Sequence, residues 1–175
     1  MIDKNLERIV VNKKEDEKVI KSILNQNEDF QKIELELKQD KDLIEFFDLS
    51  RQIEKIENRK VWLNCGGFIT IDKTEALTAI DVNTGKYTGN KSLEDTIFKV
   101  NQEATIEIAK QLRLRDIGGI IIIDYIDMKK EKDKEKIEKL LEDNLKKDRA
   151  KTQIEGFTKL DLMELTRKHI CSHQN

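Results

Sequence analysis

Two short apolar runs each end on an aspartate. Ala76-Leu77-Thr78-Ala79-Ile80 leads into Asp81, and Ile120-Ile121-Ile122-Ile123 leads into Asp124. Each run reads as a buried strand, and each carboxylate falls where open α/β sheets keep their sites, at the strand's carboxyl end. Asn83 follows Asp81 by two residues, so on a continuing strand the two side chains share a face. Two carboxylates and a nearby amide oxygen suit a hard divalent cation. Mg²⁺ takes one or two carboxylates and keeps several waters for chemistry on phosphates. The set therefore points to metal-assisted attack on a phosphodiester. A strand-end Asp can also do no more than cap a turn. Asp127, three residues past Asp124, reads as a second acid or as the cap of the next helix, and the cap is the preferred reading.

The elements that must position these groups are legible from periodicity. Before residue 59 come a strand from Leu6 to Val11, a helix from Asp16 to Gln26 and an alternating strand around Ile33, Leu35 and Leu37. One or two helices follow over Leu43 to Ile56. Lys60–Leu63 and Phe68–Asp72 flank Gly66-Gly67 as a hairpin. Thr84 to Asn90 reads as a loop. Ser92 then caps a long helix, with Asp95 in a capping-box position and Leu93, Ile97, Val100, Ala104, Ile108 and Leu112 at helical spacing. Gly118-Gly119 turns the chain into the Ile120 strand. A second helix spans Asp133 to Asp148. Leu160, Leu162 and Glu164 fit either a late strand or a helix start. Strand, long helix, buried strand and helix in that order give an α/β layer.

Composition narrows the classes. The chain has 175 residues, 37% hydrophobic and 39% charged, yet 33 basic residues nearly balance 35 acidic ones for a net charge of −2. Bulk charge gives no attraction to nucleic acid, so any such contact must be local. Arg113, Arg115, Arg149, Lys151, Arg167 and Lys168 are the cations placed to meet phosphates. Arg113 and Arg115 also suit a helix C-terminus, where cations offset the dipole. The Lys-rich stretch from 129 to 151 is equally acidic and reads as a solvated helix face. Aromatic residues are 5% of the chain, and the reading places most of them in the core. Stacking platforms for a single strand are therefore scarce, and weak, salt-sensitive RNA binding is expected. Two cysteines without paired spacing fit a reducing cytosol. His169, Cys171 and His173 lack a fourth ligand and a standard zinc spacing; a frayed tail is the expectation. Cys65 reads as a small residue flanking the glycine turn. No apolar run is long enough to span a bilayer, and a cytoplasmic location is expected.

Longer stretches carry a family resemblance. Arg59 to Leu63, Gly66-Gly67 and Ile71 through Gly85 resemble the catalytic core of the ribonuclease E/G family. So do Asn101-Gln102-Glu103-Ala104, Gln111 through Gly119 and Ile122 through Met128. Asp148-Arg149-Ala150-Lys151 and Leu162 to Arg167 continue it. The resemblance implies a mixed sheet with flanking helices, a DNase I-like subdomain over residues 59–170. A partial RNase H-like α/β segment over residues 1–58 would precede it, with a tail at 171–175. It implies that Asp81 and Asp124 hold a catalytic Mg²⁺, supported by Asn83. The implied reaction is endonucleolytic hydrolysis of single-stranded RNA that leaves a 5′-phosphate on the downstream product, as in RNA processing and decay. It also implies a longer, homo-oligomeric parent with S1, 5′-sensor and zinc-link regions that this sequence does not contain. A folded, non-catalytic fragment with weak RNA or partner binding is the alternative. A nucleotide-binding module is set aside, because no Gly-rich loop joins strand to helix.

Overall fold

The computed structural model describes residues 6–85 and 92–170. Most of the expected 84–90 loop, Cys171, His173 and the 171–175 tail lie outside the described residues. The chain divides into two compact units, Met1–Glu54 and Lys55–Asn175.

In the first unit, β1 (Arg8–Val11) and β2 (Glu34–Leu37) pair in parallel. Between them lie α1 (Lys14–Asn25) and a 3-10 turn at Glu28–Phe30. The apolar stripe of α1 is only partly used: Leu24 is buried, while Val19 and Ile23 are exposed. Next come α2 (Leu43–Phe46), capped by the Asp42 carboxylate, and α3 (Leu49–Glu57).

The second unit is built on six strands in the order β3-β4-β5-β6-β8-β7. These are β3 (Lys60–Trp62), β4 (Phe68–Lys73), β5 (Leu77–Asn83), β6 (Gly119–Asp124), β7 (Thr152–Phe157) and β8 (Leu162–Arg167). β5 and β6 are parallel and the other neighbours antiparallel. The sheet is therefore mixed, with its one parallel pair at the centre. A parallel pair needs a long crossover, and α4 (Leu93–Leu114) supplies it. Its start follows the expected signal: the Ser92 hydroxyl accepts the Asp95 N–H and donates to the Asp95 carboxylate. α5 (Glu131–Leu145) follows β6.

One face of the sheet is apolar and covered. Ile69, Ile71, Ile80, Val82, Ile121, Ile123, Met163 and Leu165 form one core with Val100, Ala104, Ile108 and Leu112 of α4 and Ile137, Leu141 and Leu145 of α5. The alternate residues of the same strands point the other way. Ala79, Asp81, Ile120, Asp124, Glu164 and Thr166 are exposed there.

Of the two readings left open for Leu162 and Glu164, the strand holds, and two expectations change. β7 was not anticipated: it is an edge strand interrupted by a bulge between Ile154 and Gly156, with Gly156 at φ +95°, and its half-polar sequence leaves little periodic signal. Asp127 does not cap α5. That helix begins after Lys130, with no side-chain cap, because the chain runs on for three residues first.

Candidate active site

Asp81 is the fifth residue of β5 and Asp124 the last of β6, and the two are direct partners in the parallel register. Neighbouring parallel strands lie about 4.8 Å apart, and register partners point to the same face. Both aspartates thus stand side by side on the uncovered face, at the carboxyl ends of the two central strands. Asn83 shares the face, and its side-chain nitrogen donates to the Asp81 carboxylate. Asp81 and Asn83, two apart on β5, share a face as their spacing requires.

The electrostatics are those of crowded acids. Asp124 reaches solvent, yet partial shielding of its carboxyl pushes its pKa above the ordinary aspartate value, and the charges of Asp81 and Asp127 push it further. Among the described residues, no cation stands within ion-pair distance of Asp81 or Asp124. Arg59 feels Asp81 only at longer range, its guanidinium being held by Asp72 on β4.

Buried polar groups fix the backbone on either side. Asn101, fully buried on α4, donates to the Ile126 carbonyl at 2.8 Å and accepts the Ile126 N–H at 3.2 Å. The Thr105 hydroxyl lies 2.9 Å from the Tyr125 hydroxyl, and burial pushes the Tyr125 phenol well above its usual pKa. Asp124 is thus followed by two residues clamped to α4. On β5 the clamp is steric. A Cβ on Gly67 would lie 2.8 Å from the Asn83 carbonyl, and one on Gly85, at φ +60°, would lie 2.6 Å from the Gly66 carbonyl. Only glycines allow so close an approach. The Glu103 carboxylate holds this turn by accepting the Cys65 N–H at 2.8 Å, and burial raises the Cys65 thiol pKa. Asn101, Glu103, Thr105 and Tyr125 were not singled out from sequence as functional. For Asn101, Glu103 and Thr105 the signal was polar residues within the long helix, and for Tyr125 a hydroxyl directly after a buried strand.

The cations expected to meet phosphates scatter differently. Arg167 is buried: its guanidinium donates to Asp148 and Asp116 at 2.8 Å and to the Ile117 carbonyl at 2.8 Å. Arg115 is half-buried and donates to Gln111 and to the Asn58 carbonyl. Arg113, Arg149, Lys151 and Lys168 are exposed. Lys151 and Lys168 border a 360 Å³ groove with Ile120 and Thr166. Gly119 pairs with Arg167, and Asp124 with Leu162, so this groove lies at the opposite end of β6 from Asp124.

The donor set fits a hard cation better than a soft one. No group of three or more His, Cys, Asp or Glu residues able to hold a metal occurs among the described residues. A zinc-type cluster is therefore not available there. Two adjacent carboxylates and an amide match what Mg²⁺ takes from a protein when water fills its remaining positions.

Paired acids at the central strand ends of a mixed α/β sheet mark a candidate site, but a fold alone does not fix a function. Sequence comparison supplies the class. The chain belongs to the Ribonuclease E/G family, which it matches over residues 1–170. It is 50% identical to Ribonuclease G of Escherichia coli (strain K12) over 126 residues, 72% of this chain and 26% of that protein. Ribonuclease E of the same strain is 43% identical over 128 residues, 73% of this chain and 12% of that protein. Putative ribonuclease E of Buchnera aphidicola subsp. Baizongia pistaciae (strain Bp) is 38% identical over 173 residues, 98% of this chain and 42% of that protein. The chain thus spans about a quarter of the length of Ribonuclease G. Among the described residues, no helix is long and apolar enough to cross a membrane.

Proposed function

We propose that this chain carries the hydrolytic centre of an endoribonuclease that cuts single-stranded RNA, with Asp81 and Asp124 holding one Mg²⁺ and Asn83 supporting them. One observation carries the reading: in a chain of the Ribonuclease E/G family, two aspartates stand in register on the central parallel strands and face solvent together.

When bound there, Mg²⁺ would supply an activated water and offset negative charge on the phosphoryl oxygens. The protein's own part is positioning. Asp81 and Asp124 fix the site of positive charge by where β5 and β6 end. Asn83 donates through its nitrogen to Asp81 and so keeps its carbonyl oxygen as an acceptor for a cation or a water. The Asn101 clamp and the glycine turn hold the two strand ends so that the carboxylates need little reorganisation when substrate arrives. Asp127, on the chain just beyond, adds to the negative field that draws a cation in. Phosphate contacts by Arg113, Arg149, Lys151 and Lys168 belong to the same proposal; the buried Arg167 serves the fold.

The test is cleavage of an end-labelled single-stranded RNA by the 175-residue chain with Mg²⁺ and with chelator. Metal-dependent internal cuts are expected, lost in Asp81→Asn and Asp124→Asn while circular dichroism is unchanged. Cleavage by both variants at the wild-type rate would overturn the assignment. A folded wild-type chain that binds RNA without cutting it would favour the non-catalytic alternative.

A further inference from the structure

Among the described aromatics only Tyr125 is buried, so the expectation that most of them lie in the core fails; two are exposed, Phe46 in the first unit and Trp62 in the second. Trp62, on the edge strand β3, is 63% exposed. Its ring meets Phe68 of β4 edge to face, with centroids 5.3 Å apart. The Lys60 ammonium lies over both rings, 4.1 Å from the Trp62 centroid and 3.5 Å from that of Phe68. Of the described aromatics in the second unit, Tyr125 is buried and Phe68, Phe98 and Phe157 are half-buried; Trp62 alone is open to solvent.

Register ties this cluster to the acids. Lys60 pairs with Thr70 and Thr70 with Asp81, so Lys60, Thr70, Asp81 and Asp124 form one row across four strands. Trp62 pairs with Phe68 and Phe68 with Asn83, which makes the next row on the same face. Two strand spacings of about 4.8 Å separate Trp62 from Asn83. The indole therefore stands on the same uncovered face as the paired carboxylates, two strands from β5 and one row along from Asp81.

We propose that Trp62, Phe68 and Lys60 form a stacking subsite for a nucleobase next to the phosphate that is cut. The inference rests on the RNA reading above and names how the substrate is held. The exposed indole and the Phe68 ring against it offer an amphipathic aromatic surface of the kind enriched where ligands are held. An indole face stacks on any base, so the contact is tolerant of sequence. Lys60 supplies the positive charge that an adjoining phosphate requires, on a side of the site where Asp81 and Asp124 repel one. An apolar protein partner would use the indole but not the cation held against it, so the pairing of the two favours a nucleotide.

Trp62 is the chain's single tryptophan, which gives a direct readout. In chelator, so that nothing is cut, the chain is titrated with a short oligouridylate and with an abasic ribose-phosphate oligomer of equal length. The oligouridylate should quench the emission in a saturable way, and the abasic oligomer should not. With labelled oligouridylate, Trp62→Ala should bind roughly five- to a hundred-fold more weakly, with Trp62→Phe in between. Lys60→Ala should lower the slope of log affinity against log salt by about 0.7. Unchanged emission on addition of RNA, or equal affinity in Trp62→Ala, overturns the subsite. Quenching without any Mg²⁺-dependent cleavage leaves the subsite standing and removes the proposed reaction. Cleavage with unchanged emission does the reverse.

Discussion

The two ends of the central strand β6 hold the same kinds of residue and use them in opposite ways. At the Gly119 end, Asp116 and Asp148 flank the fully buried guanidinium of Arg167, each at 2.8 Å. Both carboxylates share that one cation, and the cluster ties the end of α4, the loop before β7 and the end of β8. At the Asp124 end, Asp81 and Asp124 stand side by side with Asp127 close enough to be felt, and among the described residues no cation is within ion-pair distance of Asp81 or Asp124. Acids bound to a buried cation are structure. Acids crowded together and open to solvent suit, on the reading proposed above, a cation bound from solution.

That contrast breaks first at Arg167. Arg167→Met should destabilise the chain by about 3–5 kcal/mol, because two shielded carboxylates lose their partner. Asp124→Asn should leave stability within about 0.5 kcal/mol or raise it, since it removes a crowded charge. Urea unfolding of both variants checks this, and similar losses in the two would erase the distinction between the ends.

A middle-sized effect is expected at the clamp behind the acids. Asn101→Ala strands the Ile126 N–H and carbonyl and should cost about 1–3 kcal/mol. It should also weaken divalent-cation binding although both carboxylates remain. Full cation affinity in a folded Asn101→Ala chain would show that the clamp serves stability alone.

The smallest effect concerns Arg59 and Asp72, a paired acid on the same face as the crowded ones. The Arg59 guanidinium holds the Asp72 carboxyl below its usual range. A depressed carboxylate adds stability above the unfolded value of about 3.9 and loses it as pH falls through the folded value. Asp124, pushed the other way by shielding and by its acidic neighbours, costs stability once pH rises past its unfolded value. Side-chain carboxyl NMR titrations should place Asp72 below the ordinary value and Asp124 above it. Arg59→Ala should move Asp72 upward and leave Asp124 where it is.

Much of this was legible in the sequence because the second unit follows strong local rules. β5 and β6 are β-rich runs between turn signals, α4 has a clean cap and stripe, and Asp81 and Asn83 are two apart on a strand. Register did the rest, since any parallel pairing that aligned the two runs would bring their terminal aspartates together. Less was legible where tertiary contacts decide. Arg167 looked like a surface cation because its partners, Asp116 and Asp148, are 51 and 19 residues away in sequence. β7 was obscured by its bulge and its polar alternation. Trp62 looked like core because aromatic residues usually are, yet it sits on an edge strand on the uncovered side of the sheet.

The central claim is that Asp81 and Asp124 share one divalent cation, and calorimetric titration of Mg²⁺ into the 175-residue chain tests it most directly. One ion per chain should bind to the wild type, and that site should vanish in Asp81→Asn and, separately, in Asp124→Asn, with both variants folded. An unchanged stoichiometry and affinity in either variant would contradict the account.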